Sequence, residues 1–225
     1  MTTQTASARL PDGITRELVE AELRWTPQID APSIGVAVDN GAVTLTGEVD
    51  SLSTRLAAKN AALRVRGVVA VADEIHVRNP GSARTDTDIA EAVTHIFSWS
   101  SVIPRGKIKA EVRDHTVILT GTADWDFQRQ SAEHAVEHLE GVRAVDNQIT
   151  LVRRPSASDT EDLIKSALIR NANIDAASIH ATASGGSVTL TGKVGSWAEK
   201  RQAGLAAWRS PNVTALKNDI LVTSP

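Results

Sequence analysis

Cysteine is absent from the 225 residues of this chain. Its absence excludes disulfides and thiol nucleophiles and removes the softest metal ligands. Tyrosine is absent too, and two phenylalanines stand beside five tryptophans, so any core must be aliphatic. No apolar run is long enough to cross a bilayer. Strong charge of either sign is also missing. A formal net charge of -3, with no strongly basic stretch, excludes nucleic acid as the main partner. Met1 to Arg9 is polar and no apolar run follows it, so we expect no secretory signal, no lipid-attachment cysteine and a cytoplasmic protein.

What the chain does have is a repeat. Thr44-Leu45-Thr46-Gly47, Ile118-Leu119-Thr120-Gly121 and Thr189-Leu190-Thr191-Gly192 lie 74 and then 71 residues apart. That period is too long for a solenoid turn and suits a small domain that packs on its neighbours. With each glycine as zero, the three thirds align almost without gaps. We expect a polar tail over 1–11 and domains over 12–79, 85–153 and 158–223. The linkers are Asn79-Pro80-Gly81-Ser82 and Arg153-Arg154-Pro155-Ser156.

Each copy reads helix, strand, strand, helix, strand. Ile14, Leu18, Val19 and Leu23 have helical spacing behind Asp12, which can cap the first turn. Thr85 to Asp88 opens the second copy's helix, and Ser158 with Glu161 forms a capping box in the third. Ile29, Ile103 and Ile174 close the helix–strand connections. Alternating Ile34, Val36 and Val38 begin the first sheet. Asn40-Gly41 and Gly185-Gly186 supply hairpin chemistry, whereas Asp114-His115 is weaker at the same place. The recurring motif is the second strand, and we expect it to end at its glycine, at a bulge or close backbone approach.

The second helix carries an alanine-rich face: Ala58, Ala61, Ala62 and Val65, then Ala132, Ala135, Val136 and Leu139, then Ala203, Ala206, Ala207 and Ser210. Gly67, Gly141 and Pro211 punctuate the helix ends. The third strand is expected to begin at Val68, Val142 or Val213. The resulting class is α+β, three tandem αββαβ domains, each a three-stranded mixed sheet with two helices on one face and a threonine-rich face left open.

The order of elements, the Val-Thr-Leu-Thr-Gly motif and the closing Gly-Val, Val-Ala and Ile-x-Val pattern resemble the BON domain, named for bacterial osmotic-stress and nodulation proteins. Leu23-Arg24-Trp25, Asp124 to Arg129 and Ser196-Trp197-Ala198-Glu199 add to the likeness, which covers Asp12 to Val222. The resemblance implies a non-enzymatic module tied to phospholipid surfaces, osmotic and envelope stress, protein interaction or chaperone-like work. Most members of the family act in the periplasm. One potassium-binding member pairs the domain with a LysM segment, and no such segment occurs here.

Few residues suggest chemistry. His134-Ala135-Val136-Glu137-His138 has the spacing of an inverted zinc-peptidase motif. The other copies place Asn60 and Leu205, and Arg64 and Arg209, at the histidine positions, so a solvated polar face is the expected role. Asp124 and Asp126 straddle Trp125, where acids serve a helix N-terminus. We therefore expect no enzyme, no cofactor and no metal, with Gly47, Gly121 and Gly192 as structural landmarks. Tryptophan suits lipid or protein interfaces, but most of the five are expected to plug domain edges. The candidate contact surface is Trp25, Phe97 and Trp99 with Arg105, Lys107 and Lys109, which suit lipid phosphate. The expected partners are anionic phospholipid or a protein, in a stress-associated scaffold. The alternatives are a holdase using the threonine-rich faces and, third, a zinc-dependent enzyme.

Overall fold

The computed structural model describes residues 10–78, 84–152, 160–171, 176–210 and 212–223. Both expected linkers, Ile174, Pro211, Ser158 and the polar tail to Arg9 lie outside these residues. The first unit is α1 (Asp12–Trp25), β1 (Ile34–Asp39), β2 (Ala42–Val49), α2 (Leu52–Arg64) and β3 (Ala70–Val77). The second is α3 (Asp86–Trp99), β4 (Ile108–Arg113), β5 (Thr116–Ala123), α4 (Asp126–Glu137), β6 (Ala144–Asn147) and β7 (Thr150–Leu151). The third is α5 (Thr160–Ile169), β8 (Ile179–Ser184), β9 (Ser187–Val194), α6 (Trp197–Trp208), β10 (Ala215–Asn218) and β11 (Leu221–Val222).

In each unit the motif strand is central, antiparallel to the strand before it and parallel to the one after the second helix. Its inward residues, such as Val43 and Leu45, are fully buried and meet the alanine face of the second helix. Ala58, Ala61 and Ala62 have no exposed surface, so α2 lies close on the sheet. Both helices of a unit join the same aliphatic cluster, so they share one face of the sheet, as the pattern predicts. Thr46, Thr120 and Thr191 are exposed on the other face.

Three expectations are corrected. The motif strand does not end at its glycine: Gly47 pairs with both Ile34 and Ile75, and β2 runs on to Val49. The glycine is an inward position where the chain entering the preceding strand crosses. Gly47, Gly121 and Gly192 have φ of 127, 120 and 132°, and a Cβ would overlap the carbonyl oxygen of Ser33, Lys107 or Ser178.

The third strand starts later, at Ala70, Ala144 and Ala215, because Val68, Val142 and Val213 are buried in the turn before it. It is broken in the second and third units, where Asn147 and Asn218 accept through Oδ1 from the N–H of Ile149 and Ile220. Asp73 makes the same bond to Ile75 in a strand that stays whole.

Asp12 is the first residue of α1, behind Pro11 at the cap. Its carboxylate reaches across to the hairpin and accepts from the N–H groups of Asn40 and Gly41 at 2.8 and 2.9 Å. Asp86 does the same for Asp114 and His115. Those two residues hold φ of 49 and 61° without a glycine, a left-handed conformation costly for ordinary side chains. The Asp86 bonds explain how the weak turn sequence is held.

Side-chain caps start the second helices. Ser51 accepts from Thr54 N–H and Ser196 from Glu199 N–H. The second unit has Trp125 at that place, and Gln128 Oε1 instead accepts from the N–H groups of Asp124 and Trp125. Ser51→Ala or Ser196→Ala is expected to cost about 1 kcal/mol, read from urea denaturation midpoints. An unchanged midpoint for both would show that these caps do not stabilise the helices.

The units contact one another in one direction around a ring. Leu52, from the first, is buried in the second unit's core, with Leu56 beside it. Arg129, from the second, lies over the ring of Trp208 in the third, 4.8 Å from its centroid. Trp197, from the third, donates Nε1–H to the carbonyl of Val69 in the first at 2.9 Å.

Candidate functional site

The candidate patch of the second unit gathers around the end of α3. Phe97 packs on the core and, with Pro104 and Arg105, lines a cleft of about 300 Å3. Trp99 is 79% exposed and leans on the ring of His95 at 5.6 Å. Arg105 reaches back to donate to the Ser98 carbonyl. Lys107 is held by Asp124 at 2.9 Å, so that acid, two residues before α4, anchors a cation of the patch. Lys109 is exposed on β4, in register with Thr120.

Trp25 stands at the equivalent tip of the first unit, 83% exposed beside Arg24. The third unit has Arg170 at that register, which reads in the sequence as a departure. The structure puts the apolar residue one step earlier: Ile169 is 73% exposed at the end of α5. Each first helix therefore ends in a large exposed apolar side chain with an arginine close by. Comparing residue pairs, Arg24-Trp25 against Ile169-Arg170, would have revealed this. On α1 the exposed face continues through Leu18 and Ile14. Burial in the domain edges is thus overturned for Trp25 and Trp99, while Trp197 and Trp208 do seal contacts between units.

The second helices line a broad, open cleft of about 1610 Å3. Equivalent positions face it from all three: Leu56, Gln130 and Arg201, then Asn60, His134 and Leu205. Asp126, at the start of α4, is buried and pairs with Arg129 and Gln130. Burial pushes its carboxyl above the ordinary range, and the Arg129 charge pulls against that shift. Asp126 is the acid of the first turn of α4, as the sequence predicts, and its pair with Arg129 also positions the guanidinium that covers Trp208.

His134, Glu137 and His138 also line the cleft. His134 Nδ1 is 3.2 Å from Glu137 Oε2, and His138 Nδ1 is 2.8 Å from the His134 carbonyl oxygen. Two recurrences in the sequence take on meaning only from the contacts they make. Asp73, Asn147 and Asn218 stand 26 residues after their glycines, and Arg55, Arg129 and Lys200 stand 8 after. Arg55 bonds Asp73, and the carbonyls of Arg129 and Lys200 accept from Asn147 and Asn218, so the two positions clasp the second helix to the third strand.

Comparison with known proteins finds the BON domain three times, over residues 11–79, 85–153 and 156–224. Osmotically-inducible protein Y of Escherichia coli (strain K12) is 30% identical over 145 residues, which cover 62% of this chain and 72% of that protein. Two solved structures of CdsD, a structural protein of the type III secretion system of Chlamydia trachomatis, align at 14 and 13% identity. They cover 92 and 93% of this chain and 96 and 92% of theirs, each with a TM-score of 0.27, too low to carry an argument. Among the described residues no helix is long and apolar enough to cross a membrane.

Proposed function

The chain belongs to the BON domain family, and from that premise we propose a non-catalytic, stress-associated scaffold that docks on anionic phospholipid surfaces through its helix tips. The observation that carries this reading is the threefold tip: Trp25, Trp99 and Ile169, each largely exposed, each with an arginine near. An apolar side chain partitions into the acyl boundary while a guanidinium binds phosphate. Stress association rests on the likeness to osmotically-inducible protein Y.

The test is co-flotation of the full chain with phosphatidylglycerol vesicles at low salt. We expect binding that added salt weakens. Each large apolar side chain contributes about 1.5–3 kcal/mol when buried, so Trp25→Ala, Trp99→Ala and Ile169→Ala together should lower partitioning by at least a hundredfold. Absence of flotation, or flotation unchanged in the triple variant, would overturn the lipid reading. In that case the exposed threonine faces favour the second reading, a holdase, measured by suppression of client aggregation.

A further inference from the structure

We propose that His134, Glu137 and His138 bind one divalent transition-metal ion, Zn2+ foremost, on the wall of the cleft between the second helices. The three residues sit at i, i+3 and i+4 near the end of α4, on one face of the helix. Their ligand atoms lie within 4.8 Å of one another. A tetrahedral zinc site asks for donor separations of about 3.4 Å, and a small turn of the exposed His134 ring closes the difference.

The hydrogen bonds prepare the ring nitrogens. A carbonyl can only accept, so His138 donates Nδ1–H to His134 and keeps its lone pair on Nε2. His134 Nδ1 and a Glu137 carboxylate oxygen stand 3.2 Å apart, the separation of two donors on one ion, so the metal takes the place of the proton they share. The two rings meet edge to face with centroids 4.4 Å apart. Two neutral imidazoles and one carboxylate suit an ion of borderline softness and disfavour Mg2+ or Ca2+, which prefer oxygen ligands. The remaining positions open to the cleft.

The fold does not demand these residues. At the same three places the first unit has Asn60, Leu63 and Arg64 and the third has Leu205, Trp208 and Arg209. Arg64 there pairs with Glu22 at 2.8 Å, and Trp208 packs on the third core. The ligand set is an addition made by the second unit alone, so one ion per chain is expected, not three.

The experiment titrates Zn2+ into the tag-free full chain in competition with a chromophoric chelator near neutral pH. We expect one saturable equivalent that excess Mg2+ does not displace. His134→Gln with His138→Gln should abolish it, and Glu137→Gln should weaken it about tenfold. His138→Arg places the residue that both other units carry there, so it keeps the fold and still loses the ion. Absence of saturable uptake, or uptake unchanged in the double histidine variant or in His138→Arg, overturns the proposal.

Discussion

Gly121→Ala is expected to destabilise the second domain by about 4 kcal/mol, at the severe end for a point mutation. Two effects combine. Its φ of 120° lies where side chains are rarely tolerated, and the new methyl group would overlap the Lys107 carbonyl oxygen. That carbonyl is backbone and accepts from Thr122 N–H, so it cannot move aside without breaking the β4–β5 register. Gly106→Ala separates the two effects. Its φ is 72° but nothing lies within 4 Å, so only conformational strain of about 1–2 kcal/mol remains. Gly13→Ala, in α1 with open space around it, should stabilise by about 0.5–1 kcal/mol. Urea denaturation reads all three, and backbone hydrogen exchange in β5 reads the two in the second domain. A cost for Gly121→Ala no larger than that for Gly106→Ala would refute the crossing argument.

Opening the ring should have the next largest effect. Leu52→Ala removes an aliphatic side chain of the first domain from the core of the second, at a cost of about 3 kcal/mol. Leu52 makes little of its own domain's core, so the loss falls on the contact between domains. We expect one cooperative thermal transition to split into separate ones and the radius of gyration in X-ray scattering to rise. Trp197→Phe keeps the bulk of the third-to-first contact but deletes its hydrogen bond to Val69, a smaller loss of about 1 kcal/mol. If Leu52→Ala melts in one step with the radius unchanged, the domains are not held by this contact.

How much was legible follows from the range of each interaction. The helices and the central strand could be read because their determinants are local: alternation, helical spacing, turn residues. The candidate patch was half legible. Phe97, Trp99 and Arg105 do gather at the end of α3, but Lys107 is taken by Asp124, a partner 17 residues away. Ile169 was hidden by its one-residue offset. The histidine pair differs from its internal equivalents, and the geometry that brings both rings together with Glu137 exists only with α4 in place.

The recurring Leu-Thr-Gly shows the same division. The sequence by itself determined three copies, their αββαβ order and the need for a glycine after each motif, since periodicity and composition act through neighbours in the chain. Why glycine is needed was decided by tertiary structure, because the oxygen that excludes a side chain belongs to the strand entry 14 residues earlier. Tertiary structure alone also decided that Leu52, Arg129 and Trp197 link the domains into a ring. Those residues share no type, and a contact between surfaces depends on what faces each side chain from another domain, which no local pattern encodes.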